Sequence, residues 1–490
     1  MSSPLDGLDQ RKVRIEKLEK IKEAGNLPFA ERYERTHYLH DASKLAIDTK
    51  DVRVAGRLMA IRKFGKLIFA TLQDYSGSMQ IALVGKEIPD EFKHFTKVVD
   101  IGDFIGCEGY IYTTQKGEIT LKVTNWTFLS KTLLPLPEKH SGLKSVESCY
   151  RQRYLDLVMN KETMDRFKKR IKMCQVIRRY LEDADFVEIE TPVIQNKASG
   201  AMATPFKTHH QSLDVDMFLR IAPETYLKRA IAGGFDRVYE FARCFRNEGM
   251  DPSHLQDFTL LEYYCAYWNY EDNMNFTEKL IKHVLEKVNG SYQLTYNDTN
   301  IDFGQEWKRI SFSDLIKQDS GIDIDQHSTK ESLVQAIKEK GITLEVDINS
   351  LGRGNLIDQL YKKVSRPSII NPTFVIKQPL DLSPLARMND DNKLIVDRFQ
   401  LVINGWEVIN AYSELIDPLD QRQRLEDQNQ AKEGGDTEAM EMDEDYLLCM
   451  EHGMPPISGW GMGIDRLIAL LTNSENLRDV VLFPLMKQDH

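Results

Sequence analysis

The stretch from residue 237 to residue 264, RVYEFARCFRNEGMDPSHLQDFTLLEYY, places charged side chains within two apolar, alternating runs. A polar loop around Pro252 separates the two runs, so the pattern predicts a β-hairpin. An interior arginine or carboxylate is costly unless it pairs with another charge or with a ligand. Arg246, Glu248 and Glu262 therefore mark the hairpin as a candidate binding site.

The hairpin resembles motif 2 of the class II aminoacyl-tRNA synthetases in its segments FRNEG and LEYY. A second motif of that family occurs near the C-terminus, where residues 459–471 read GWGMGIDRLIALL. Three glycines on alternate positions lead there into an amphipathic helix that carries Arg466 near its start. One glycine pattern alone is a weak signal, but two arginine motifs in this order are specific. The resemblance implies that Arg246 and Arg466 are the catalytic residues.

A third family motif precedes the hairpin. Residues 166–184 have the apolar spacing of a helix and lead into FVEIETPVI, a strand-like run that ends at Pro192. Proline cannot donate a hydrogen bond to a sheet, so it suits a strand edge that meets a partner chain. Helix, strand and proline in this order resemble motif 1, which implies a homodimer.

The composition predicts a globular protein of two or three domains, because the chain has 490 residues and 41% of them are hydrophobic. No apolar run is long enough to cross a bilayer, and the N-terminus lacks the apolar core of a signal peptide. We therefore expect a cytoplasmic protein without membrane contact. The net charge of −11 argues against indiscriminate nucleic-acid binding but allows a local basic surface. The six cysteines lack metal-binding spacing and are expected to be reduced.

Three parts of the chain are distinguished by their patterns. Residues 1–50 begin with a basic, helix-like segment. Residues 51–140 contain five short strand-like runs with glycine turns, which is typical of a small β-barrel. Their amino-acid sequence resembles the anticodon-binding OB-fold of the aspartate, asparagine and lysine synthetases. The resemblance implies that residues 141–490 form the class II catalytic domain, an antiparallel sheet flanked by helices, with a helical insertion around residues 275–365. The predicted fold class is α+β.

The barrel is expected to bind the anticodon of a tRNA. Such domains stack an unpaired base on an aromatic ring and bond its edge with polar groups. The resemblance assigns this role to Arg62, Phe69 and Gln80, with Glu118 as a further candidate. Phe69 considered alone fits a core position better, so its assignment depends on the family pattern.

The sign of the charge in the pocket indicates which amino acid is used. Glu224, Glu262 and Glu414 fall in the matching motifs, and carboxylates attract a substrate with two ammonium groups. From about residue 12 to 487 the chain resembles the bacterial-type lysyl-tRNA synthetases of subclass IIb. The resemblance implies a lysine site in which Gly200 and Glu224 hold the α-amino group, Asn410 the carboxylate, Glu414 and Tyr264 the ε-ammonium group, with Tyr412 in the wall and Glu262 adding negative charge.

ATP binding is implied for a second set of residues. Activation brings a carboxylate to the α-phosphorus of ATP, so catalysis depends on positioning and on neutralising negative charge. The resemblance places Arg246 on the α-phosphate and the substrate carboxylate, and Arg466 on the γ-phosphate. It places Phe258 under the adenine ring, with Glu248 and His254 near the nucleotide.

Magnesium is the implied cofactor, and two positions depart from the family pattern. The family offers two carboxylates to the metal, whereas this chain has Glu407, also counted as ATP-binding, and Gln400 at the second position. Glutamine offers a carbonyl oxygen without charge, so weaker magnesium binding is expected. Leu255 follows His254 where the family has asparagine, which removes a polar group near the nucleotide.

The sequence thus favours a lysine–tRNA ligase with ATP, L-lysine and tRNA(Lys) as substrates. Two alternatives stay open. A diverged paralogue could activate lysine or a related cationic amino acid for an acceptor other than tRNA. A non-catalytic tRNA-binding protein could use the same scaffold, although it would have no need for costly buried charges.

Overall fold

The computed structural model describes residues 4–137, 143, 145–346, 348, 351–433, 440 and 442–487. The chain divides into two compact units, Met1–Lys144 and Ser145–His490. The boundary expected near residue 140 lies outside the described residues. Within the described part of the chain, none of the helices combines the length and the apolar character that a membrane crossing requires.

The first unit is a closed five-stranded barrel with additional helices. Its elements are α1 (Pro4–Glu23), α2 (Leu39–Ala42), β1 (Val52–Phe64), β2 (Leu67–Gln73), β3 (Ser78–Val84), α3 (Pro89–Val98), β4 (Phe104–Thr113) and β5 (Ile119–Ser130). The strands are hydrogen-bonded in the order β1-β2-β3-β5-β4 around the barrel. This arrangement confirms the OB-fold prediction for this part of the chain. The helix-like segment predicted in residues 1–50 corresponds to α1, and it belongs to the same unit as the barrel.

The barrel interior is apolar because alternate side chains of each strand point inward. Val52, Val54 and Leu58 of β1 are completely buried, and they join one core with residues of the other four strands. Charged groups are also buried in this unit, among them Lys131 and Asp103. The ammonium group of Lys131 lies 2.6 Å from Asp100 Oδ2 and 2.8 Å from Asp103 Oδ2. Its charge is therefore balanced within the unit.

The second unit contains the remaining helices and strands. Its helices are α4 (Val146–Arg151), α5 (Arg153–Met159), α6 (Lys161–Glu182), α7 (Glu224–Ala232), α8 (Tyr270–Val288), α9 (Phe312–Ser320), α10 (Lys330–Glu339), α11 (Arg353–Val364), α12 (Pro418–Glu433), α13 (Glu444–Glu451) and α14 (Ile464–Leu471). Its strands are β6 (Val187–Glu188), β7 (Ile194–Gln195), β8 (Lys207–His210), β9 (Val215–Leu219), β10 (Arg237–Phe245), β11 (Asp257–Ala266), β12 (Gln293–Tyr296), β13 (Thr299–Asp302), β14 (Lys308–Ser311), β15 (Thr373–Ile376), β16 (Arg398–Ile403), β17 (Trp406–Ser413) and β18 (Ile457–Gly463).

An eight-stranded sheet organises this unit, with the strand order β14-β15-β16-β17-β18-β11-β10-β6. The predicted hairpin is confirmed, because β10 and β11 pair antiparallel across the loop at Pro252. The sheet is mixed rather than wholly antiparallel as expected. The outer pairs β14–β15 and β10–β6 are parallel, since long connections that contain helices return the chain to each edge in the same direction.

The two faces of the central strands have different chemistry, because side chains alternate between the faces of a sheet. On one face Tyr263, Trp460 and Ile409 join the main core, which also includes residues of α6, α8 and α14. The register aligns Glu262 with Gly461 and Gly461 with Asn410 on the other face. This polar face is the base on which the candidate site is built.

Two expectations about local structure need correction. The segment around residues 275–365 is not only helical, since it also contains β12, β13 and β14. β14 is an edge strand of the main sheet, and α8 packs into the main core, so much of this segment belongs to the catalytic fold. The strand expected to end at Pro192 is also shorter, because only Val187–Glu188 pairs with β10.

Candidate active site

A cavity of about 350 Å³ opens on the polar face of the sheet, which is a volume typical of small-molecule sites. Most of the predicted site residues line it: Gly200, Glu224, Arg246, Glu248, His254, Phe258, Glu262, Glu407, Asn410, Tyr412 and Arg466. Tyr264, Glu414 and Gln400 are not part of its wall. The two halves of the predicted site, one acidic and one basic, therefore meet in one cavity.

The acidic part of the cavity is formed by Glu224 at the start of α7 and Glu262 in β11. Glu224 Oε1 accepts hydrogen bonds from the Tyr412 hydroxyl at 2.7 Å and from the Lys228 ammonium group at 2.5 Å. Glu262 Oε2 accepts a hydrogen bond from the Tyr264 hydroxyl at 3.2 Å. Burial, together with the nearby Glu224, raises the pKa of Glu262 to about 8. A cationic ligand would favour the ionised form of this carboxyl group.

Gly200 lies beside the acidic part of the cavity, at a position that only a glycine fits. Its φ angle of +89° is in the left-handed region, which other residues rarely adopt. A Cβ atom at this position would also lie 2.9 Å from the Cβ of Glu224. The backbone of Gly200 can therefore approach the Glu224 side chain closely.

Glu414 and Tyr264 lie behind the cavity wall. Glu414 is 1% exposed and its Oε2 forms an ion pair with Lys228, while its Oε1 is buried without a hydrogen-bond partner. Burial raises the pKa of Glu414 well above its ordinary value, although Lys228 acts in the opposite direction. The unpartnered Oε1 leaves Glu414 with one free acceptor next to the acidic part of the cavity.

The basic part of the cavity contains Arg246 and Arg466. Among the described residues, no carboxylate lies within 4.0 Å of either guanidinium group, and Arg246 Nε is buried without a hydrogen-bond partner. Arg466 Nη1 donates to the backbone oxygen of Glu407 at 2.8 Å. Arg246 and Arg466 line the same cavity as Glu262, and the charge of Arg246 acts on both of these groups. Two half-buried guanidinium groups without anionic partners are suited to a polyphosphate.

The loop between β10 and β11 supplies the exposed part of the wall. Glu248 and His254 are both exposed, and the ring of His254 is held by Asp251 Oδ2 at 2.8 Å. Phe258 at the start of β11 lies with its ring centroid 5.1 Å from the Arg246 guanidinium carbon. An aromatic face beside two arginines can stack a nucleotide base while the phosphates reach the guanidinium groups.

The carbonyl group of Gln400 and the carboxylate of Glu407 provide oxygen ligands for a cation. Gln400 Nε2 donates to Glu407 Oε2 at 3.0 Å, which fixes the amide, and Gln400 Oε1 is buried without a partner. Within the described residues, no cluster of three or more histidine, cysteine, aspartate or glutamate side chains could hold a metal by itself. The two oxygens fit Mg²⁺, which commonly keeps water and substrate phosphates among its ligands.

Three residues of the site were not identified from the sequence. Lys228 is fully buried between Glu224 and Glu414, and its spacing of four residues from Glu224 on a helix is a signal that could have revealed it. Arg398 donates from Nε to Asn410 Oδ1 at 2.8 Å, a pairing that follows from strand register. Asp465 accepts from Thr259 N at 3.0 Å and from Arg170 at 2.5 Å, which fixes the start of α14.

Among the three glycines of β18, Gly459 has the least space around it. A Cβ atom there would lie 2.1 Å from Glu414 Oε1 and 2.5 Å from Tyr264 Cε1. We expect Gly459→Ala to lower the free energy of unfolding by about 1–3 kcal/mol, because the added methyl group overpacks the buried site. Denaturant unfolding measures the effect. Gly461→Ala is the control, since its nearest contact would be at 3.5 Å, and equal destabilisation of both variants would contradict the prediction.

The barrel brings the predicted anticodon-binding residues together on one surface. Arg62 and Phe69 are directly opposite each other on β1 and β2, and Arg62 Nη2 donates to Gln80 Oε1 at 2.7 Å. Gln80 Nε2 donates in turn to Thr120 Oγ1 at 3.0 Å. Glu118 is exposed, and its backbone oxygen accepts from Thr120. The hydrogen-bonding groups of Gln80 are thus oriented before any ligand binds.

Comparison with known families agrees with this architecture. Residues 145–487 match the family of tRNA synthetases class II (D, K and N), and residues 52–129 match the OB-fold nucleic acid binding domain. The chain belongs to the class II tRNA synthetases of the D, K and N group.

Three curated relatives, all named as lysine–tRNA ligases, match the chain over nearly its whole length. The chain is similar to the lysine–tRNA ligase of Lactococcus lactis subsp. lactis, with 46% identity over 488 residues, which cover 98% of each chain. It is 44% identical to the lysine–tRNA ligase of Nostoc punctiforme over 98% of this chain and 88% of the relative. It is also 44% identical to the lysine–tRNA ligase of Syntrophomonas wolfei subsp. wolfei, over 99% of this chain and 98% of the relative.

Proposed function

We propose that this chain is a lysine–tRNA ligase, which activates L-lysine with ATP and then transfers it to the 3′ end of tRNA(Lys). The observation that carries the proposal is the distribution of charge in one cavity. Arg246 and Arg466 have no carboxylate partners among the described residues, and they line the same cavity as the buried carboxyl group of Glu262. Such a cavity can hold a triphosphate next to a dicationic amino acid.

In the first step, an oxygen of the lysine carboxylate forms a bond to the α-phosphorus of ATP. The bond from that phosphorus to the bridging oxygen breaks, and pyrophosphate leaves with the electron pair. The two reactants are anions at the point of contact, so their approach requires positive charge. Arg246 would contact both the α-phosphate and the substrate carboxylate, and Arg466 would hold the γ-phosphate. Phe258 would stack under the adenine ring.

The acidic part of the cavity would select and orient the amino acid. Glu224 and the backbone at Gly200 would bind the α-amino group, and Asn410 would donate its amide to the carboxylate, because its oxygen already accepts from Arg398. Glu262 lines the cavity and would meet a substrate ammonium group directly. Tyr264 and the unpartnered Oε1 of Glu414 would bind the ε-ammonium group, which requires a rearrangement of the side chains that separate these two residues from the cavity.

Mg²⁺ is the proposed cofactor, and Glu407 with Gln400 would hold it. The ion supplies positive charge to the phosphate oxygens when it is bound. The single carboxylate at this site makes the amide oxygen of Gln400 the second protein ligand. The backbone of Glu407 also positions Arg466, because its carbonyl oxygen accepts a hydrogen bond from the guanidinium group.

Gln400→Glu is expected to lower the magnesium concentration for half-maximal exchange between ATP and pyrophosphate about threefold to tenfold, because a second carboxylate binds the cation more firmly. The exchange is measured with lysine at several magnesium concentrations. Gln400→Met is the control, and it should raise the requirement because it removes the oxygen. Identical magnesium profiles for all three proteins would reject this account.

The barrel would read the anticodon of tRNA(Lys) with Arg62, Phe69, Gln80 and Glu118. The face around Pro192 is proposed as the contact in a homodimer, as its likeness to motif 1 implies. The cytoplasm, where tRNA and ATP are available, is the proposed location.

The proposed function is tested by pyrophosphate exchange with lysine, aspartate and asparagine in parallel, followed by charging of tRNA. We expect exchange with lysine alone and the formation of lysyl-tRNA. Exchange with lysine without tRNA charging would instead support a paralogue with another acceptor. Binding of tRNA without exchange would support a non-catalytic protein.

A further inference from the structure

Glu224, Glu262 and Glu414 form an acidic cluster, and the buried Lys228 lies against two of its members. Its side chain is 0% exposed, and its ammonium group lies 2.5 Å from Glu224 Oε1 and in an ion pair with Glu414 Oε2. Burial alone would lower the pKa of Lys228, but the carboxylates of Glu224 and Glu414 outweigh it and hold that pKa well above its ordinary value. The ammonium group is therefore permanently charged at neutral pH.

The position of Lys228 connects two groups that act on the substrate in the proposed function. Glu224 lines the cavity, while Glu414 lies behind the wall. Lys228 bridges the two carboxylates, and its ammonium group is surrounded by the rings of Tyr264, Tyr412 and Tyr446 at 5.7–5.9 Å. A group held from several sides can fix its partners within a narrow range of positions.

The charges of the cluster match those of lysine only when Lys228 is counted. Glu224, Glu262 and Glu414 carry three negative charges when ionised, and Lys228 reduces the total to two. Lysine brings two ammonium groups to this cluster, while its carboxylate would face Arg246. Without the resident ammonium group, one buried carboxylate would lack a counter-charge and would keep a proton instead.

We propose that Lys228 is a positioning residue of the amino-acid site. Its ammonium group holds Glu224 and Glu414 in place and reduces the net negative charge of the cluster to match the two ammonium groups of the substrate. The proposal rests on the assignment of the cavity to lysine. It extends that assignment, because Lys228 would act on the substrate through the two carboxylates and without touching it.

Other charged and titratable groups also face the cluster. Arg246 follows β10, Tyr264 lies on β11, Tyr412 on β17 and Tyr446 on α13, and Cys244 is near Glu262. Burial raises the pKa values of the three tyrosines and of Cys244, so these groups stay neutral near pH 7. Lys228 and Arg246 both lower the pKa of Glu262, and Lys228 also lowers that of Glu414, while Arg398 acts on Tyr412.

The test measures lysine-dependent pyrophosphate exchange by Lys228→Met as a function of pH. We expect the KM for lysine to rise at least about tenfold, while the KM for ATP changes less than about threefold. The acidic limb of kcat/KM for lysine should also move upward by about one pH unit, because loss of the ammonium group raises the pKa of Glu262 and Glu414. A purely structural role would not move this limb.

Lys131→Met is the matched control. Lys131 is also fully buried and bound to two carboxylates, but it lies in the barrel unit. We expect it to reduce stability and to leave the pH limb and the KM for lysine unchanged. An unchanged limb in folded Lys228→Met, or an equal rise of both KM values, would overturn the proposal. Absence of exchange with lysine in the unaltered protein would refute the proposed function instead.

A second comparison applies if Lys228→Met does not fold. Glu414→Gln and the double variant Lys228→Met/Glu414→Gln differ only in the ammonium group, and the double variant removes one charge of each sign. We expect the limb of the double variant to lie about one pH unit above that of Glu414→Gln. Equal limbs in the two variants would overturn the proposal.

Discussion

Arg246→Ala is expected to reduce kcat/KM for lysine-dependent pyrophosphate exchange about a thousandfold, which corresponds to about 4 kcal/mol. The size of the effect follows from the place of Arg246 in the wall of the cavity that Glu262 and Arg466 also line, where its guanidinium group would meet both reacting anions. Its Nε is buried without a partner, so the native fold does not use this group to satisfy another residue. Steady-state kinetics at saturating magnesium measure the loss.

Arg243→Ala is the matched control for this prediction. Arg243 lies three residues earlier in β10, but it bonds Thr259 Oγ1 at 2.9 Å and pairs with Asp257, and it does not line the cavity. We expect its removal to change the rate less than about tenfold, as is usual for a partly exposed ion pair. Comparable losses in the two variants would show that Arg246 has no special role.

Glu262→Gln is expected to raise the KM for lysine about a hundredfold, because the amide cannot provide the negative charge that a substrate ammonium group requires. The pH dependence of the unaltered protein should reveal the same group. Its pKa of about 8 means that it holds a proton at neutral pH and must lose it to bind the cation. The KM for lysine should thus fall about tenfold between about pH 6.5 and pH 8.5.

Calorimetry of lysine binding in buffers of different ionisation enthalpy provides an independent measurement. Near pH 7 we expect release of close to one proton, and Glu262→Gln should abolish it. Glu240→Gln is the control, since Glu240 is opposite Glu262 in the register and equally buried, but it bonds Arg220 at 2.6 Å and lies outside the cavity wall. Proton release that persists in Glu262→Gln would assign it to another group.

The same raised pKa has a consequence for stability, with a defined sign. Between its ordinary value near 4.5 and about 8, Glu262 binds more protons in the folded chain than in the unfolded chain. The contribution of this group to stability therefore decreases as the pH rises through that interval. A bound substrate ammonium group would counteract the decrease, because it favours the ionised carboxylate.

Much of the site could be predicted because strand alternation and motif order determine it. The hairpin from β10 to β11 places Glu262 on the polar face, and the glycines of β18 lie beside it through simple register. Most of the predicted site residues line the cavity, and the roles assigned to the individual residues remain predictions.

The partners of buried charges could not be predicted in the same way. Glu414 forms an ion pair with Lys228 from a different element, α7, and no linear pattern connects the two residues. Arg398 and Asn410 meet diagonally across β16 and β17, which are distinct strands whose pairing a linear pattern does not reveal. The two parallel strand pairs at the edges of the sheet could not be predicted, because they depend on the path of long connections rather than on local sequence.

The alternation along β18 limits how this enzyme family can acquire a new substrate preference. Trp460 and Met462 pack into the core, while Gly461 and Gly463 line the cavity. A shift of one residue would therefore move the core side chains to the cavity face and the glycines into the core. Inserted or deleted residues in this strand would therefore damage folding and binding together. Divergence toward another amino acid would have to begin in elements beside the sheet, such as α7, where one side chain can change without moving the register.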